Sequence, residues 1–147
     1  MLKSIRSARR DHVIWVDRAR SLVNGFPVKK EQIPIEVTAC EFGRWFYCDG
    51  QILLTLFNES AVKKLEDKHR ELHDIYMKIF KIYFDTSSQS FLSKLLKRPK
   101  KISDREKVIA MEDLQKLEKV SNELISYLNI IEKKMNRIDE ESFEKFF

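Results

Sequence analysis

All three histidines of the chain lie in segments whose apolar residues repeat at helical spacing. His12 falls within an apolar stripe that includes Ala8 and Trp15, and His69 takes a position at which its own stripe predicts a buried residue. His73 follows one helical turn later. Imidazoles on an apolar face are either core residues that hydrogen-bond to their neighbours or ligands of a metal ion. The pattern therefore poses a choice between these two roles.

The spacing of His69 and His73 suits a metal site on one helix. Side chains at positions i and i+4 project from one face about 6 Å apart, which allows two nitrogens to bind one zinc ion at about 2 Å each. Cys40 and His12 lie on two other predicted helices that could face this one. Three imidazoles and one thiolate suit tetrahedral zinc, whereas calcium and magnesium take oxygen ligands. We therefore predict a zinc site with the ligands His12, Cys40, His69 and His73.

A zinc ion held by four side chains favours binding or sensing over catalysis. Catalytic zinc keeps one coordination position open for water or substrate, and the sequence identifies no general base beside such a position. A di-iron centre is not favoured, because it needs carboxylates and further histidines on facing helices. We therefore expect the site not to be that of an enzyme.

Four helices with short connections are predicted to position these ligands. Apolar residues recur at spacings of three and four, and three glycines with three prolines are too few for the turns of a β-rich fold. The predicted helices cover about residues 2–24, 36–47, 58–84 and 103–138. This pattern is typical of an all-α antiparallel four-helix bundle with a long C-terminal helix. We expect residues 1–147 to form a single domain.

Local signals predict where the helices begin and end. Asn24-Gly25 is a C-terminal stop signal. Asn58 can cap the third helix, and Ser103 with Glu106 fits a capping box at the start of the last. Residues 52–57 (ILLTLF) could form a short helical turn or a strand. An isolated strand would have no partner, so helix or irregular packing is favoured.

Charge and composition bear on the partners of the protein. The 28 Lys and Arg residues exceed the 23 Asp and Glu residues, and this net charge of +5 permits contact with nucleic acid or an anionic membrane. A basic cluster at 94–101 is the best candidate for such contact. A nucleic-acid partner is nevertheless not favoured, because the chain shows no aromatic–basic interleaving, RNA-binding signature or zinc-finger spacing.

No apolar stretch of the sequence approaches transmembrane length, and no apolar run follows the basic N-terminus as it would in a secretory signal. We therefore expect a cytoplasmic protein with no membrane insertion. The two cysteines do not make a disulfide framework. A reducing cytoplasm would leave both thiols free for other chemistry.

The order of these residues resembles the chemoreceptor zinc-binding domain, which occurs in bacterial cytoplasmic chemoreceptors and in some diguanylate cyclases. Three linked motifs carry the resemblance, and together they span residues 12–73. They are His-x-x-Trp at His12 and Trp15, Cys-x-x-Gly-x-Trp at Cys40, Gly43 and Trp45, and His-x-x-x-His at His69 and His73.

The resemblance implies a helical bundle that binds one zinc ion through His12, Cys40, His69 and His73. Proteins of this family often form homodimers. Their zinc site is associated with sensing zinc or oxidants such as hypochlorous acid, and with tuning chemotaxis or cyclic-di-GMP output. The sequence contains no methyl-accepting signalling region and no cyclase domain. We therefore expect a stand-alone regulatory module that acts through a signalling partner.

The alternative is an adaptor bundle in which zinc is purely structural. Its interactions would then lie on the long last helix and on three C-terminal phenylalanines, which either fold back onto the bundle or anchor a partner. These are Phe143, Phe146 and Phe147.

Residues near Cys40 have expected supporting roles. Cys40 itself is the expected chemical switch, because oxidation of a thiolate to sulfenic acid weakens its coordination of zinc. Gly43 is expected to allow close approach of another helix or of the site itself. Trp15 and Trp45 are expected to form a dry wall around the metal. Cys48 is expected to be a free thiol outside the ligand set, and a role in resolving oxidised Cys40 stays open.

Overall fold

The computed structural model describes residues 2–85, 87 and 100–144, and the side chains of these except at 2 and 138–144. This part of the chain contains five α-helices and no strand. They are α1 (Leu2–Val23), α2 (Glu41–Tyr47), α3 (Leu53–Leu56), α4 (Glu59–Phe84) and α5 (Asp104–Glu144). Two 3₁₀ turns, Lys30–Gln32 and Asp49–Ile52, lie between them. The predicted all-α fold is confirmed, and the ambiguous segment 52–57 contains the short helix α3.

Polar contacts between helices show the direction in which each helix runs. Between α1 and α5 they join Arg6 to Glu132 and Arg20 to Glu118. Around α4 and α5 they join Lys68 to Glu123 and Ile82 to Lys100. Between α2 and α4 they join Cys40 to His69 and Tyr47 to Glu66. In each case one set of residue numbers rises as the other falls, so these neighbouring helices are antiparallel and the predicted bundle is confirmed.

Three predicted helix-end signals are confirmed. Gly25 follows α1 with a φ of 82°, in the left-handed region that favours glycine. The Asn58 side chain accepts the N–H of Ala61 at 2.8 Å, at the start of α4. Before α5, the Ser103 N–H donates to the Glu106 carboxylate at 2.8 Å, and the Glu106 N–H donates to the Ser103 hydroxyl at 3.3 Å.

The core is formed by the apolar faces of α1, α2, α4 and α5. Burying one large apolar side chain stabilises a fold by about 1.5–3 kcal/mol. On α5 the buried stripe consists of Ala110, Leu114, Leu117, Val120, Leu124, Leu128, Ile131 and Met135. Two polar residues of α5, Asp113 and Ser121, are also buried. Asp113 accepts a hydrogen bond from Lys116, whereas Ser121 faces α1.

None of the helices in the described residues combines the length and the apolar character needed to cross a membrane. Most of the predicted basic cluster, including Lys94, Lys97 and Arg98, lies outside the described part of the chain. The side chains of the three C-terminal phenylalanines lie outside it too.

The change Asn58→Ala is expected to destabilise the protein, because it removes the side-chain acceptor that caps α4. Loss of such a cap costs about 1 kcal/mol. Asn58→Asp keeps the acceptor and places a negative charge at the positive end of the helix, so it should match or exceed the wild type. Urea unfolding of the metal-free proteins measures the difference. Equal stability of Asn58→Ala and the wild type would contradict the assigned cap.

Candidate metal centre

Cys40 caps the N-terminus of α2 rather than lying inside a helix. Residues 36–39 form a bend and a turn, and Cys40 has extended dihedral angles, with φ −77° and ψ 157°. Its Sγ accepts the N–H of Gly43 at 3.2 Å, as the oxygen of a capping serine would. The predicted helix start at Glu36 is therefore wrong. Because the thiol accepts one of the free N–H groups in the first turn of α2, the helix can begin after Cys40 without an additional turn before it.

Cys40, His69 and His73 bring their donor atoms together between α2 and α4. The Cys40 Sγ lies 3.1 Å from the His69 Nε2, and one donor atom from each of the three residues lies within 4.8 Å of the others. All three side chains are buried. Donors on a tetrahedral zinc ion, with bonds of about 2.0–2.3 Å, stand about 3.3–3.6 Å apart. The three residues therefore fit a zinc ion in donor type and in spacing.

The imidazole of His73 is oriented by the chain that precedes α2. Its Nδ1 lies 2.6 Å from the carbonyl oxygen of Ile35. A carbonyl can only accept, so Nδ1 carries the proton and Nε2 keeps the lone pair. Histidine ligands of metals are commonly held in this way by a hydrogen bond at the other nitrogen.

His12 lies beside the three-residue group without joining it. Its Nε2 is 3.0 Å from the Oγ of Ser121 on α5. His12, Cys40 and His73 all line one cavity of about 240 Å³. The structure thus brings three of the four predicted ligands together and places the fourth on the wall of the adjoining cavity.

Burial determines the protonation of these groups. Desolvation lowers the pKa of His12 to about 4 and that of His69 to about 3, and the charge of His73 adds to both shifts. Desolvation also lowers the pKa of His73, against the effect of the Ile35 carbonyl. It raises the pKa of the Cys40 thiol, against the effect of nearby N–H groups. Near neutral pH the imidazoles are therefore neutral and able to ligate, whereas the thiol must lose its proton to do so.

Residues 12–80 match the family model of the chemoreceptor zinc-binding domain. This match supports the family that the three sequence motifs indicate. The matched range contains all four predicted ligands and ends before α5. No curated protein and no solved structure matched the chain. Domains of this family bind zinc, which agrees with the donors that the structure brings together.

Gly43 lies where a side chain has no room. A Cβ at this position would lie 1.8 Å from the carbonyl oxygen of Val37 and 2.9 Å from its carbonyl carbon. The first turn of α2 therefore presses directly on the segment that leads into Cys40. The expected close approach at Gly43 is confirmed, and its partner is the chain beside the site rather than another helix.

Aromatic rings cover the group formed by Cys40, His69 and His73. The Trp15 ring lies 4.7 Å from the His73 ring, centroid to centroid, and its Nε1 donates to the Pro34 carbonyl. The Phe42 ring lies 4.4 Å from the His69 ring, and Trp45 packs in turn on Phe42. Aromatic rings therefore line the group, as expected, but Phe42 rather than Trp45 is the ring that lies against His69.

Sequence reasoning did not single out Phe42, Ile35 or Ser121 as parts of the site. Ser121 could have been identified from the sequence, because it is a polar residue in the apolar stripe of α5. Ile35 acts through its backbone carbonyl, so its side chain carried no signal. Phe42 is one of several aromatic residues in its segment, and only the tertiary structure shows that it is the one beside His69.

Cys48 lies at the other end of α2, where the helix has ended at Tyr47. It is exposed, whereas Cys40 is buried, and it does not belong to the group of donors around His69. Cys48 is thus a free thiol outside this group, as expected, and the alternative role of resolving oxidised Cys40 is untested.

The change Gly43→Ala is expected to destabilise the domain by about 3 kcal/mol, because backbone atoms that meet the new methyl group must move. Gly50→Ala is the matched control, since its Cβ would meet no atom closer than 3.1 Å. Urea unfolding of the metal-free proteins gives both values. A loss for Gly43→Ala no larger than that for Gly50→Ala would contradict the close approach.

Proposed function

We propose that the protein is a zinc-binding regulatory module that holds one zinc ion per chain through His12, Cys40, His69 and His73. The observation that carries the proposal is the buried group of one thiol and two imidazoles within the residues that match the family. The donor set is the soft nitrogen and sulfur type that zinc prefers. The four-ligand set supplies every position of a tetrahedral ion, as in zinc sites that do no catalysis.

The surroundings of His69 support a metal over a simple packing role. Its Nε2 lies against the Cys40 sulfur, and its Nδ1 is buried with no hydrogen-bond partner among the described residues. Burying an imidazole with one nitrogen unpaired costs free energy, and a thiol is a weak hydrogen-bonding group. A zinc ion bound to Nε2 and Sγ would replace this weak contact with coordinate bonds and so offset part of the cost of burying the ring, although Nδ1 would keep no partner.

The position of His12 supports its role as the fourth ligand. It lines the cavity that also reaches Cys40 and His73. Its Nδ1 makes no hydrogen bond with any residue in the described part of the chain. Ligation by His12 would join α1 to α2 and α4 through one ion, and binding would then stabilise the folded arrangement of all three helices.

Zinc content tests the proposal. Protein purified without a histidine tag under zinc-replete conditions should contain one zinc ion per chain. Cys40→Ala and His73→Ala should lose most of it, because each removes a donor that the structure places in the group. Cys48→Ser should retain it, because Cys48 is exposed and outside the group.

Chelation of the wild type should also lower its melting temperature markedly, since bound zinc contributes to folding free energy. Metal analysis that finds less than about a tenth of a zinc ion per chain would overturn the proposal.

The regulatory part of the proposal rests on Cys40. Zinc holds a cysteine as the reactive thiolate. Reaction of that thiolate with hypochlorous acid gives a sulfenic acid and chloride, and the sulfenic acid coordinates zinc more weakly. The cavity that reaches Cys40 is also lined by the exposed side chain of Arg44, so a small oxidant has a path to the sulfur.

Titration with hypochlorous acid separates a sensor from an inert adaptor. A sensor should release zinc in proportion to oxidant, at doses that leave the methionines intact. Cys48→Ser should release zinc over the same range if Cys40 is the reactive residue. Mass spectrometry locates the added oxygen, and a zinc-sensitive dye measures release. Retention of zinc until methionines oxidise would rule out oxidant sensing and favour a structural zinc.

We further propose that the module forms a homodimer and passes its state to a signalling protein in chemotaxis or cyclic-di-GMP control. α5 has 41 residues against 26 for α4, which at about 1.5 Å per residue gives α5 a much longer surface. Several large apolar side chains of α5 are exposed, as a contact surface would require. They are Val108, Ile109, Met111 and Ile130. Sedimentation of the zinc-loaded samples gives the mass that tests the homodimer.

A further inference from the structure

Ser121 is a polar residue on the core side of α5. Its side chain is buried, and so are Leu117 one turn before it and Leu124 one turn after it. Its hydroxyl lies 3.0 Å from the Nε2 of His12. A hydroxyl at a core position loses its hydration, so a buried serine needs a hydrogen-bonding partner. In the described part of the chain that partner is His12.

This contact divides the two nitrogens of His12 between two environments. Nε2 faces Ser121, and Nδ1 has no hydrogen bond with a described residue. The ring itself borders the cavity shared with Cys40 and His73. A neutral imidazole has one N–H and one lone pair. A proton on Nε2, donated to the serine oxygen, leaves the lone pair on Nδ1.

The same division occurs at His73. There the Ile35 carbonyl takes the Nδ1 proton, and Nε2 is the atom left for the metal group. In both residues one ring nitrogen faces a protein group. The carbonyl at His73 can only accept, whereas the serine hydroxyl at His12 can accept or donate, so the proton on Nε2 of His12 belongs to the proposal. This is the arrangement by which metal sites commonly select the tautomer and orientation of a histidine ligand.

We propose that Ser121 is the positioning residue of His12: its hydroxyl oxygen accepts the Nε2 proton, so that Nδ1 is the atom available to zinc. Ser121 itself does not touch the metal. The inference rests on the proposed zinc site, and it extends that site beyond residues 12–80, the range that matches the family. It also links α5 to the proposed metal through His12, since α5 otherwise meets the core largely through apolar side chains.

Zinc affinity measured by competition with a chelator tests this role. Ser121→Ala should weaken zinc binding about 10- to 100-fold, the usual effect of removing a partner that orients a ligand. Ser126→Ala is the matched control on the same helix, because its exposed hydroxyl bonds only to the Asn122 carbonyl. The control should bind zinc as the wild type does. Affinity of Ser121→Ala that equals or exceeds that of the wild type would overturn the proposal.

A double-mutant cycle shows whether Ser121 acts through His12. In a His12→Ala background, Ser121→Ala should cause no further loss of affinity, because the ring that it positions is absent. A serine that merely stabilised α5 would lower affinity in both backgrounds. That result would overturn the positioning role even if the single variant were weakened.

Long-range ¹H–¹⁵N spectra of the histidine rings provide a direct readout. In the metal-free wild type, His12 should carry its proton on Nε2, and Ser121→Ala should lose this preference. In the zinc-loaded wild type the metal should lie on Nδ1 of His12, and a metal on Nε2 would overturn the inference. A wild type that binds no zinc contradicts the proposed function as well, whereas a zinc-binding wild type matched by Ser121→Ala contradicts the role of Ser121 alone.

Discussion

The buried contact between the Cys40 sulfur and His69 joins the N-terminus of the short α2 to α4, and the rest of the site is arranged around it. The same sulfur caps α2 by accepting the N–H of Gly43. That cap requires the first turn of α2 to lie so close to Val37 that only glycine fits. The helix start, the glycine and the predicted ligand Cys40 are therefore linked by direct contacts, and we expect a change at one of them to disturb the others.

Burial of the imidazoles links stability to metal binding. Water is excluded from His12, His69 and His73, which lowers the pKa of each. The rings are thereby kept neutral and ready to bind a cation, but their polar atoms lose hydration that the protein replaces only in part. A bound zinc ion would offset that cost, so the free energy of folding and that of zinc binding are coupled. The same coupling lets occupancy of the site affect helix packing.

Each of the four bundle helices contributes a residue at or beside the site. His12 lies on α1, Cys40 at the start of α2, and His69 with His73 on α4, while Ser121 contacts His12 from α5. α1 and α4 are both antiparallel to α5, so a shift of either helix at the site changes its register with α5. A regulatory module needs such a link, because a partner can read the state of a buried ion only through the surface of the helices that hold it.

Local patterns were enough to predict the helices, most of their ends and three residues whose donor atoms the structure brings together, because apolar periodicity, capping side chains and donor chemistry can be read along a single segment. They were not enough to place the start of α2. Val37 and Cys40 are three residues apart, and the segment around them contacts α4 at two points, from the Ile35 carbonyl to His73 and from the Cys40 sulfur to His69. The hydrogen-bonding contacts between Ile35 and His73 and between Ser121 and His12 could not be predicted from the sequence either. Each joins residues far apart in the chain, and only the register of packed helices decides which of them meet.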